Sequence, residues 1–442
     1  MEILQEYFTS HNVNEIHPSD VAKILKDIDE AFFSEALNVV PINILGDVIL
    51  SLPERYFSKS IVSLPLDKLS KAVKELDSDD QVEFMENLQE YDEDIAINVF
   101  DSLSIKDQSA VLRLQNYKDF EAGAYMQTEV FTAQKNEIVQ DVVSRFSKLH
   151  KANMLDNVQN LFITDKEGRL LYTIGLDDLL TFDFTQTVVK NIEENQRQYE
   201  PKSALDRDDV SDVVHVFEEY ELSVMPVIDI NGILVGRITS DHIYDIISEK
   251  ATEQMYSLAG IDEEAEDEER IFAATKHRAF WLGINIITAF ISSVVIALFA
   301  ETIESIVAIA VLMPIVASMG GNVGIQSLTV VVRQLSLGSI ELEDAKRIIK
   351  REVSIALLNG MLFALIVGFI AYIWFDVKLL GVVIALSMVI NLFIAGLVGS
   401  MTPLILKKAG VDPAVGSSVI LTFFTDAVGF FSFLGLATWI LL

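Results

Sequence analysis

The hydrophobic and polar positions of this 442-residue chain follow three successive patterns. In the first, Leu52, Leu64, Leu76 and Leu88 recur every twelve residues, next to prolines or aspartates that are typical of turns. One helix and one turn in each interval would stack short helices into a small superhelix. This pattern predicts an α-helical, superhelical N-terminal domain over residues 1–123.

The second pattern consists of short β-branched runs and occurs twice. Each copy has a helix, a strand, a tight turn, a second strand and a short acidic helix. The turns have the spacing Asp-x-x-Gly, at Asp165–Gly168 and Asp229–Gly232, which is typical of β-hairpins. The repeat predicts a tandem pair of α/β modules over residues 124–187 and 188–250.

The third pattern is a series of five apolar runs. They are Ala279–Ala300, Ser305–Val332, Val353–Phe375, Leu379–Leu406 and Pro413–Leu442. Each exceeds the ~20 helical residues that cross a hydrocarbon layer of about 30 Å. We therefore expect an all-α transmembrane bundle of five helices over residues 276–442, embedded in a lipid bilayer. Residues 251–275 are predicted to hold a connecting helix and an acidic linker.

Basic residues in the short flanks predict the orientation of this bundle. Nine Lys or Arg residues lie on the side that carries the N-terminal part, and only Lys378 lies on the other. Because short cytoplasmic flanks are enriched in Lys and Arg, we expect a cytosolic N-terminus and an outside C-terminus in the cell (inner) membrane. The first ten residues lack the basic and apolar regions of a secretory signal.

Charge divides the chain in the same place. Residues 1–275 hold 23 basic and 56 acidic residues, a net charge of −33, whereas residues 276–442 hold 10 and 9, a net charge of +1. An acidic surface repels nucleic acid and attracts cations, so nucleic acid is not an expected partner. The chain has no Cys, which excludes disulfides, thiolate metal sites and cysteine nucleophiles.

The second apolar run contains polar and small residues after Pro314. They are Gly320, Gly321, Asn322, Gly324 and Gln326. Proline and clustered glycines weaken a helix, and a broken polar segment in a membrane is tolerated where it lines a wet cavity. The run therefore predicts a broken helix along an ion pore. A close helix–helix contact of the GxxxG kind is the alternative, and it does not exclude a pore.

The fifth apolar run carries one acidic residue, Asp426, near its middle, close to Thr422 and Thr425. A carboxylate at the bilayer centre costs roughly 3 kcal/mol on insertion scales, so it usually marks an ion path. The alternative is a structural carboxylate that is hydrogen-bonded to one of the two threonines. On a two-fold axis two such carboxylates would face each other, an arrangement suited to a divalent cation.

Acidic residues of the N-terminal part are candidate ligands for regulatory cations. The candidates are Asp92 and Asp94 in one cluster, and Asp241, Asp245, Glu249 and Glu253 at i, i+4, i+8 and i+12 on one helix face. Like charges four residues apart destabilise a helix slightly, and a bound cation would remove that cost. A solvated acidic face is the alternative. Seven of the eight residues Asp262–Glu269 are also acidic.

These features together resemble the MgtE family of magnesium channels and transporters along nearly the whole chain, and the two α/β modules resemble a CBS pair. The matching motifs are Met126-x-Thr128-Glu129, Pro314 with Gly320-Gly321-Asn322-x-Gly324-x-Gln326, and Asp412-Pro413 with Thr422-x-x-x-Asp426-x-x-Gly429. The resemblance implies a homodimer with its pore on the dimer axis and a hydrated Mg²⁺ held by Asp426 of both subunits. It also implies that intracellular Mg²⁺ binds the acidic cytosolic faces and closes the pore, so Mg²⁺ would be both substrate and regulator.

CBS pairs often bind adenosine nucleotides through a hydroxyl residue and an Asp three positions later. Here the first copy has Gly175 before Asp178, and the second has Thr239 before His242. Each copy has only one half of that pair, so the resemblance leaves ATP binding open.

Two other kinds of function remain as alternatives. A cation-coupled secondary transporter of Mg²⁺, Mn²⁺ or Co²⁺ would want further ionisable residues in the membrane, where the apolar runs offer Asp426 alone. The second alternative, a sensor without a pore, would need no broken helix in the membrane. We do not expect an enzyme, because the sequence has no H-E-x-x-H, no P-loop and no phosphorylation motif of a P-type pump.

Overall fold

The structure is a computed structural model of the chain. It describes residues 4, 7–8, 16–151, 155, 158–195, 199–261, 271–336, 340, 342–375 and 377–442, apart from the side chains of Glu54, Ala273, Ala274 and His277. The chain folds into two compact units, Met1–Asp245 and Ile246–Leu442. The acidic stretch Asp262–Glu269 lies outside the described residues.

The first part of the chain is a stack of short helices. They are α1 (Pro18–Lys26), α2 (Glu30–Val39), α3 (Ile42–Leu50), α4 (Glu54–Ser63), α5 (Leu66–Lys74), α6 (Ser78–Tyr91), α7 (Glu93–Ser102) and α8 (Ile105–Leu114). Helices α2 to α6 start at residues 30, 42, 54, 66 and 78, which confirms the twelve-residue period. Pro41, Pro53 and Pro65 precede three of these starts, because proline cannot continue the helix before it.

The helices pack on the second neighbour along the chain, α1 on α3, α3 on α5 and α5 on α7. The recurring Leu52, Leu64, Leu76 and Leu88 are all buried in one core between them. One apolar residue in the same place of each repeat therefore joins each helix pair to the next. The predicted superhelical stack is confirmed.

Two three-stranded sheets follow a 3₁₀ turn at Ala122–Tyr125. The elements are β1 (Thr132–Gln134), α9 (Val139–Lys151), β2 (Asn160–Thr164), β3 (Leu170–Gly175), α10 (Leu176–Leu179), α11 (Val188–Glu194), β4 (Ala204–Leu205), α12 (Val210–Tyr220), β5 (Val224–Ile228), β6 (Leu234–Thr239) and α13 (Ser240–Ala259). In each sheet the first strand is parallel and the third antiparallel to the central strand. The duplicated α/β fold is confirmed, and the short first strands β1 and β4 are additional to the prediction.

Both predicted hairpin turns are present. The φ angles of Gly168 and Gly232 are 85° and 79°, a left-handed conformation that glycine adopts without strain. Asp165 Oδ1 accepts hydrogen bonds from the N–H groups of residues 167 and 169, at 2.9 and 2.8 Å, and Asp229 repeats this pattern. The two turns also bond to each other, since the Leu170 N–H donates to the Gly232 carbonyl at 3.0 Å. The two modules thus form one pair.

Among the described residues of the second unit, five helices are long and apolar enough to cross a membrane. They are α14 (Ile271–Ala297), α16 (Ala308–Ser336), α17 (Ala345–Trp374), α18 (Lys378–Lys408) and α19 (Ser417–Leu441), with the short α15 (Ala300–Ser305) after α14. Helix α18 packs on α16, α17 and α19, whereas α14 packs mainly on α19. The predicted five-helix bundle is confirmed, with α18 as its most buried member.

The expected break in the second membrane helix is not present, and that expectation was wrong. Helix α16 is continuous from Ala308 to Ser336 with Pro314 inside it. Proline removes one backbone donor, whose partner would be the carbonyl of residue 310 near the helix start. Two of the glycines after Pro314 lie at contacts with other helices: Gly320 faces α18 and Gly324 faces α19.

Candidate functional site

Helix α16 turns its glycines inward. Gly320 and Gly324 are both buried. A Cβ on Gly320 would collide with the amide of Asn391 on α18, and a Cβ on Gly324 would lie 2.5 Å from Leu421 Cδ1 on α19. Gly399 of α18 packs against the same face of α16, because a Cβ added to Gly399 would lie 2.5 Å from the Gly324 carbonyl oxygen. The small-residue contact proposed as an alternative is therefore present.

The amides predicted for the pore lie on another face of α16. Asn322 and Gln326 are exposed in the single chain, and so is Ile325 between them. Among the residues that the structure describes, the side chain of Asn322 bonds to Ser318 of the same helix, at 3.5 Å between Nδ2 and Oγ. Gly321 lies beside them, and a Cβ there would meet no atom within 4 Å. This polar strip is available to a second copy of the chain or to solvent.

Asp426 is half-buried on α19, the helix that packs on α14, α16 and α18. In the part of the chain that the structure describes, no hydrogen bond or ion pair reaches its carboxylate. The hydroxyl of Thr422 donates to the Ser418 carbonyl at 2.8 Å, and Thr425 donates to the Leu421 carbonyl at 3.1 Å. The threonines thus bond to their own helix and leave the carboxylate oxygens of Asp426 available to a cation or its water.

The sequence reasoning missed Asn391. This residue lies in the apolar run of α18 and is wholly buried, with its Nδ2 2.8 Å from the Val316 carbonyl oxygen on α16. A lone amide in the middle of an apolar membrane run was the available signal. Asn391 also packs over Gly429 of α19, so it contacts two of the helices that carry predicted pore residues.

The acidic residues predicted to bind regulatory cations do not gather around one point. Asp92 caps α7 by accepting a hydrogen bond from the Ile95 N–H at 3.0 Å, while Asp94 is exposed in the first turn of that helix. On α13 the predicted acidic face is exposed throughout; its members are Asp241, Asp245, Glu249 and Glu253. Among the described residues, no group of three or more His, Cys, Asp or Glu could hold a metal ion within the single chain.

A buried polar cluster joins the helical stack to the second CBS-like module. His242 Nε2 on α13 lies 2.9 Å from Asp79 Oδ2 on α6, and both side chains are largely buried. Burial alone would lower the pKa of His242, but the hydrogen bond and charge of Asp79, with the charges of Asp241 and Asp80, raise that pKa to about 9. The imidazole is therefore protonated at neutral pH and forms an ion pair within the first unit.

The rest of this cluster carries both signs of charge. Burial, followed by the carboxylates of Asp79, Asp47, Glu83 and Asp77, raises the pKa of Asp80 to about 8. Arg237 is 2% exposed and lies in the field of Asp77, Glu129, Asp79 and Asp241. The positive charges of His242 and Arg237 thus partly neutralise the acidic first turn of α6.

The sequence motif Met126-x-Thr128-Glu129 lies at this junction. The N–H of Gln127 donates to the Arg237 carbonyl of β6 at 2.8 Å, which attaches the segment to the second sheet. The Thr128 N–H donates to Ser78 Oγ at 2.8 Å, and Ser78 Oγ donates to Glu129 Oε2 at 2.9 Å. The motif therefore links the first turn of α6 to the CBS-like pair.

Sequence models of three families match separate parts of the chain. The model described as a divalent cation transporter, MgtE, matches residues 313–436, the MgtE intracellular N domain matches residues 16–119, and the CBS domain matches residues 198–249. Residues 313–436 include Asn322, Asn391 and Asp426.

Curated relatives match over most of their length. The magnesium transporter MgtE of Thermus thermophilus is 30% identical over 341 residues, which cover 76% of this chain and 74% of the relative. The magnesium transporter MgtE of Bacillus subtilis is 26% identical over 426 residues, covering 96% of this chain and 92% of the relative. A solved structure described as the cytosolic domain of the Mg²⁺ channel MgtE in complex with ATP is 24% identical, with a TM-score of 0.48; it covers 55% of this chain and 97% of that structure. The chain belongs to the MgtE family of magnesium transporters.

Proposed function

We propose that this protein is a Mg²⁺ channel of the cell membrane. The observation that carries the proposal is Asp426, a carboxylate in the middle of an apolar helix with no partner among the described residues. Placing such a group in a membrane costs roughly 3 kcal/mol, and an ion path is the usual reason to retain it. Mg²⁺ keeps its water reluctantly and is usually bound through one or two carboxylates, which fits one such group per chain.

We infer that the channel is a homodimer. A two-fold axis beside α16 and α19 would bring two Asp426 carboxylates together with the exposed Asn322, Gln326 and Thr422. These amide and hydroxyl groups would then bind the water of a hydrated ion. Gly321 lies on the same exposed strip of α16. Gly320, Gly324 and Thr425, which the sequence also predicted for the pore, are buried between helices and would support the pore without facing the ion.

The proposed orientation follows from charge. The N-terminal part, with 33 more acidic than basic residues, faces the cytosol, where nine flanking Lys or Arg residues also lie. Intracellular Mg²⁺ bound between the exposed carboxylates of α13, and near Asp92 and Asp94, would reduce their repulsion. This is the proposed route by which Mg²⁺ closes its own channel.

Little supports ATP binding by the CBS-like pair. Thr239 is buried, and His242, which replaces the Asp of the nucleotide motif, pairs with Asp79 of the helical stack. We therefore propose no role for ATP in transport.

The test is Mg²⁺ uptake by liposomes that contain the purified full-length protein and a Mg²⁺-sensitive dye. We expect the wild type to admit Mg²⁺. Because Asp426 is proposed to hold the ion through its water, Asp426→Asn should lower the initial rate by about 10- to 100-fold, as loss of an outer partner of a metal site typically does. Glu301→Gln is the matched control, because Glu301 is an exposed carboxylate on α15 of the same unit. Equal rates in the wild type and Asp426→Asn would refute the proposed role of Asp426.

A further inference from the structure

Asn391 lies where three membrane helices meet. It is 0% exposed on α18, and its Nδ2 donates to the Val316 carbonyl of α16 at 2.8 Å. This hydrogen bond joins positions 75 residues apart in the chain. The other buried polar residues of α18 behave differently: Ser387 donates to the Ile384 carbonyl of its own helix, at 3.0 Å.

Two glycines make room for this amide. A Cβ on Gly320 of α16 would collide with Asn391 Nδ2, and a Cβ on Gly429 of α19 would lie 2.8 Å from the same atom. Real Cβ atoms do not approach that closely, so each glycine permits the contact. The amide is thus held between α16 and α19 as well as on α18.

The position of this contact relates it to the proposed pore. Gly429 follows Asp426 by three residues, a rise of about 4.5 Å along a helix. Gly320 directly precedes Gly321 and Asn322 on α16. Asn391 therefore fixes the separation of α16 and α19 within about one turn of the residues proposed to hold the ion.

Stability alone does not account for an asparagine here. Asn391 Oδ1 is buried and accepts no hydrogen bond from any residue that the structure describes. A buried, unpaired carbonyl destabilises the folded state, whereas an apolar side chain of the same shape does not. Leucine would fill this apolar run without the orphaned oxygen, and it would not bond to α16.

We propose that Asn391 is a positioning residue of the ion path: its amide sets the spacing of α16 and α19 that a hydrated divalent cation at Asp426 requires. The proposal rests on the proposed function. It assigns to Asn391 a role through the pore helices, with no direct contact to the ion. A residue that acts in this way resembles the outer partners of a metal site, whose loss typically weakens affinity or activity about 10- to 100-fold.

The first test compares Asn391→Leu with Ser387→Ala in the liposome assay, together with thermal unfolding in detergent. We expect Asn391→Leu to unfold at or above the temperature of the wild type. Its Mg²⁺ uptake should be about 10-fold slower, and its preference for Mg²⁺ over Ca²⁺ should be reduced. Ser387→Ala should match the wild type in all three measurements, because Ser387 bonds only within α18.

The second test perturbs the contact from the other side. Gly320→Ala and Gly429→Ala should each slow uptake by displacing the amide of Asn391. In an Asn391→Ala background the space is free, so Gly320→Ala should add little further loss. Additive losses would overturn the proposal, and so would wild-type uptake and ion preference in Asn391→Leu. An inactive wild type would instead refute the proposed function.

Discussion

Polar side chains in the membrane helices of this protein differ in where their hydrogen-bond partners lie. Thr425 and Ser387 bond to the preceding turn of their own helices and need nothing from outside. Asn391 satisfies its donor across a helix interface, and Asp426 has no partner in the described chain. We associate Asn391 and Asp426, which do not complete their bonds within their own helices, with the ion path.

His242 supplies a prediction for the first unit, Met1–Asp245. Burial lowers the pKa of His242, but the hydrogen bond and charge of Asp79 outweigh burial and raise this pKa from an ordinary 6.5 to about 9. Such a group stabilises the folded state fully below about pH 6.5, and the contribution disappears as pH rises through 9. A rise of this size corresponds to roughly 3 kcal/mol. The raised pKa of Asp80 also makes the folded state less stable as pH rises.

We therefore expect His242→Gln to increase amide hydrogen exchange at the start of α6 and at residues 126–129 at pH 6.5, and to have little effect near pH 9.5. Arg237, Asp77, Glu129 and Asp241 surround the same pair and remain unchanged. His150→Gln, which removes an exposed imidazole from α9, is the control. Equal exchange in wild type and His242→Gln at pH 6.5 would show that the ion pair does not hold this junction.

At the scale of elements, close backbone approaches hold α17 and α18 together. A Cβ on Gly381 would lie 2.5 Å from the Gly368 carbonyl oxygen. Gly381→Ala should force the helices apart and cost about 1–3 kcal/mol, as overpacking usually does. Thermal unfolding in detergent would measure the loss. Gly283→Ala on α14, where a Cβ meets nothing within 4 Å, should leave the unfolding temperature unchanged.

Helix α13 carries the prediction for regulation. Its acidic face is exposed, and neutralising Asp245, Glu249 and Glu253 together to Asn and Gln removes charges that a bound Mg²⁺ would offset. We expect the Mg²⁺ concentration that protects the full-length protein from protease to rise. A bound ion stabilises the compact state by about 1.4 kcal/mol at ten times its Kd, so loss of several sites shifts the midpoint measurably.

The matched control neutralises Asp212, Glu218 and Glu219, three exposed carboxylates on α12. It removes the same charge from another helix of the cytosolic part, and it should leave the midpoint unchanged. An unchanged midpoint in the α13 variant would instead identify its acidic face as a solvated surface.

Several elements could be predicted because their cause is local. Three of the helix starts that recur every twelve residues follow prolines, the hairpins follow Asp-x-x-Gly, and the membrane helices follow from length and hydropathy. The contacts of α16 with α18 and α19 join residues that are far apart in the sequence. The bond from Asn391 to Val316 and the pair of His242 with Asp79 join distant residues, so the sequence alone did not show them.

The whole molecule combines two parts of different character. Residues 1–275, with a net charge of −33, are joined to the membrane part, residues 276–442, with a net charge of +1. In the proposed dimer the charge of residues 1–275 doubles, and its repulsion opposes compaction unless cations bind. Closing a gate from mostly open to mostly closed requires about 5.5 kcal/mol of differential binding, which several Mg²⁺ ions can supply.

The central claim is that the membrane part conducts Mg²⁺ under control of the cytosolic part. The most direct measurement is the current of the full-length protein in a planar bilayer between two Mg²⁺ concentrations. We predict a reversal potential that shifts by about 30 mV for each tenfold Mg²⁺ gradient, as expected for two charges per ion, and a current that falls when Mg²⁺ is added on the cytosolic side. A reversal potential that follows Na⁺ or H⁺, or an absence of current while Mg²⁺ uptake continues, would contradict a channel and favour a coupled carrier.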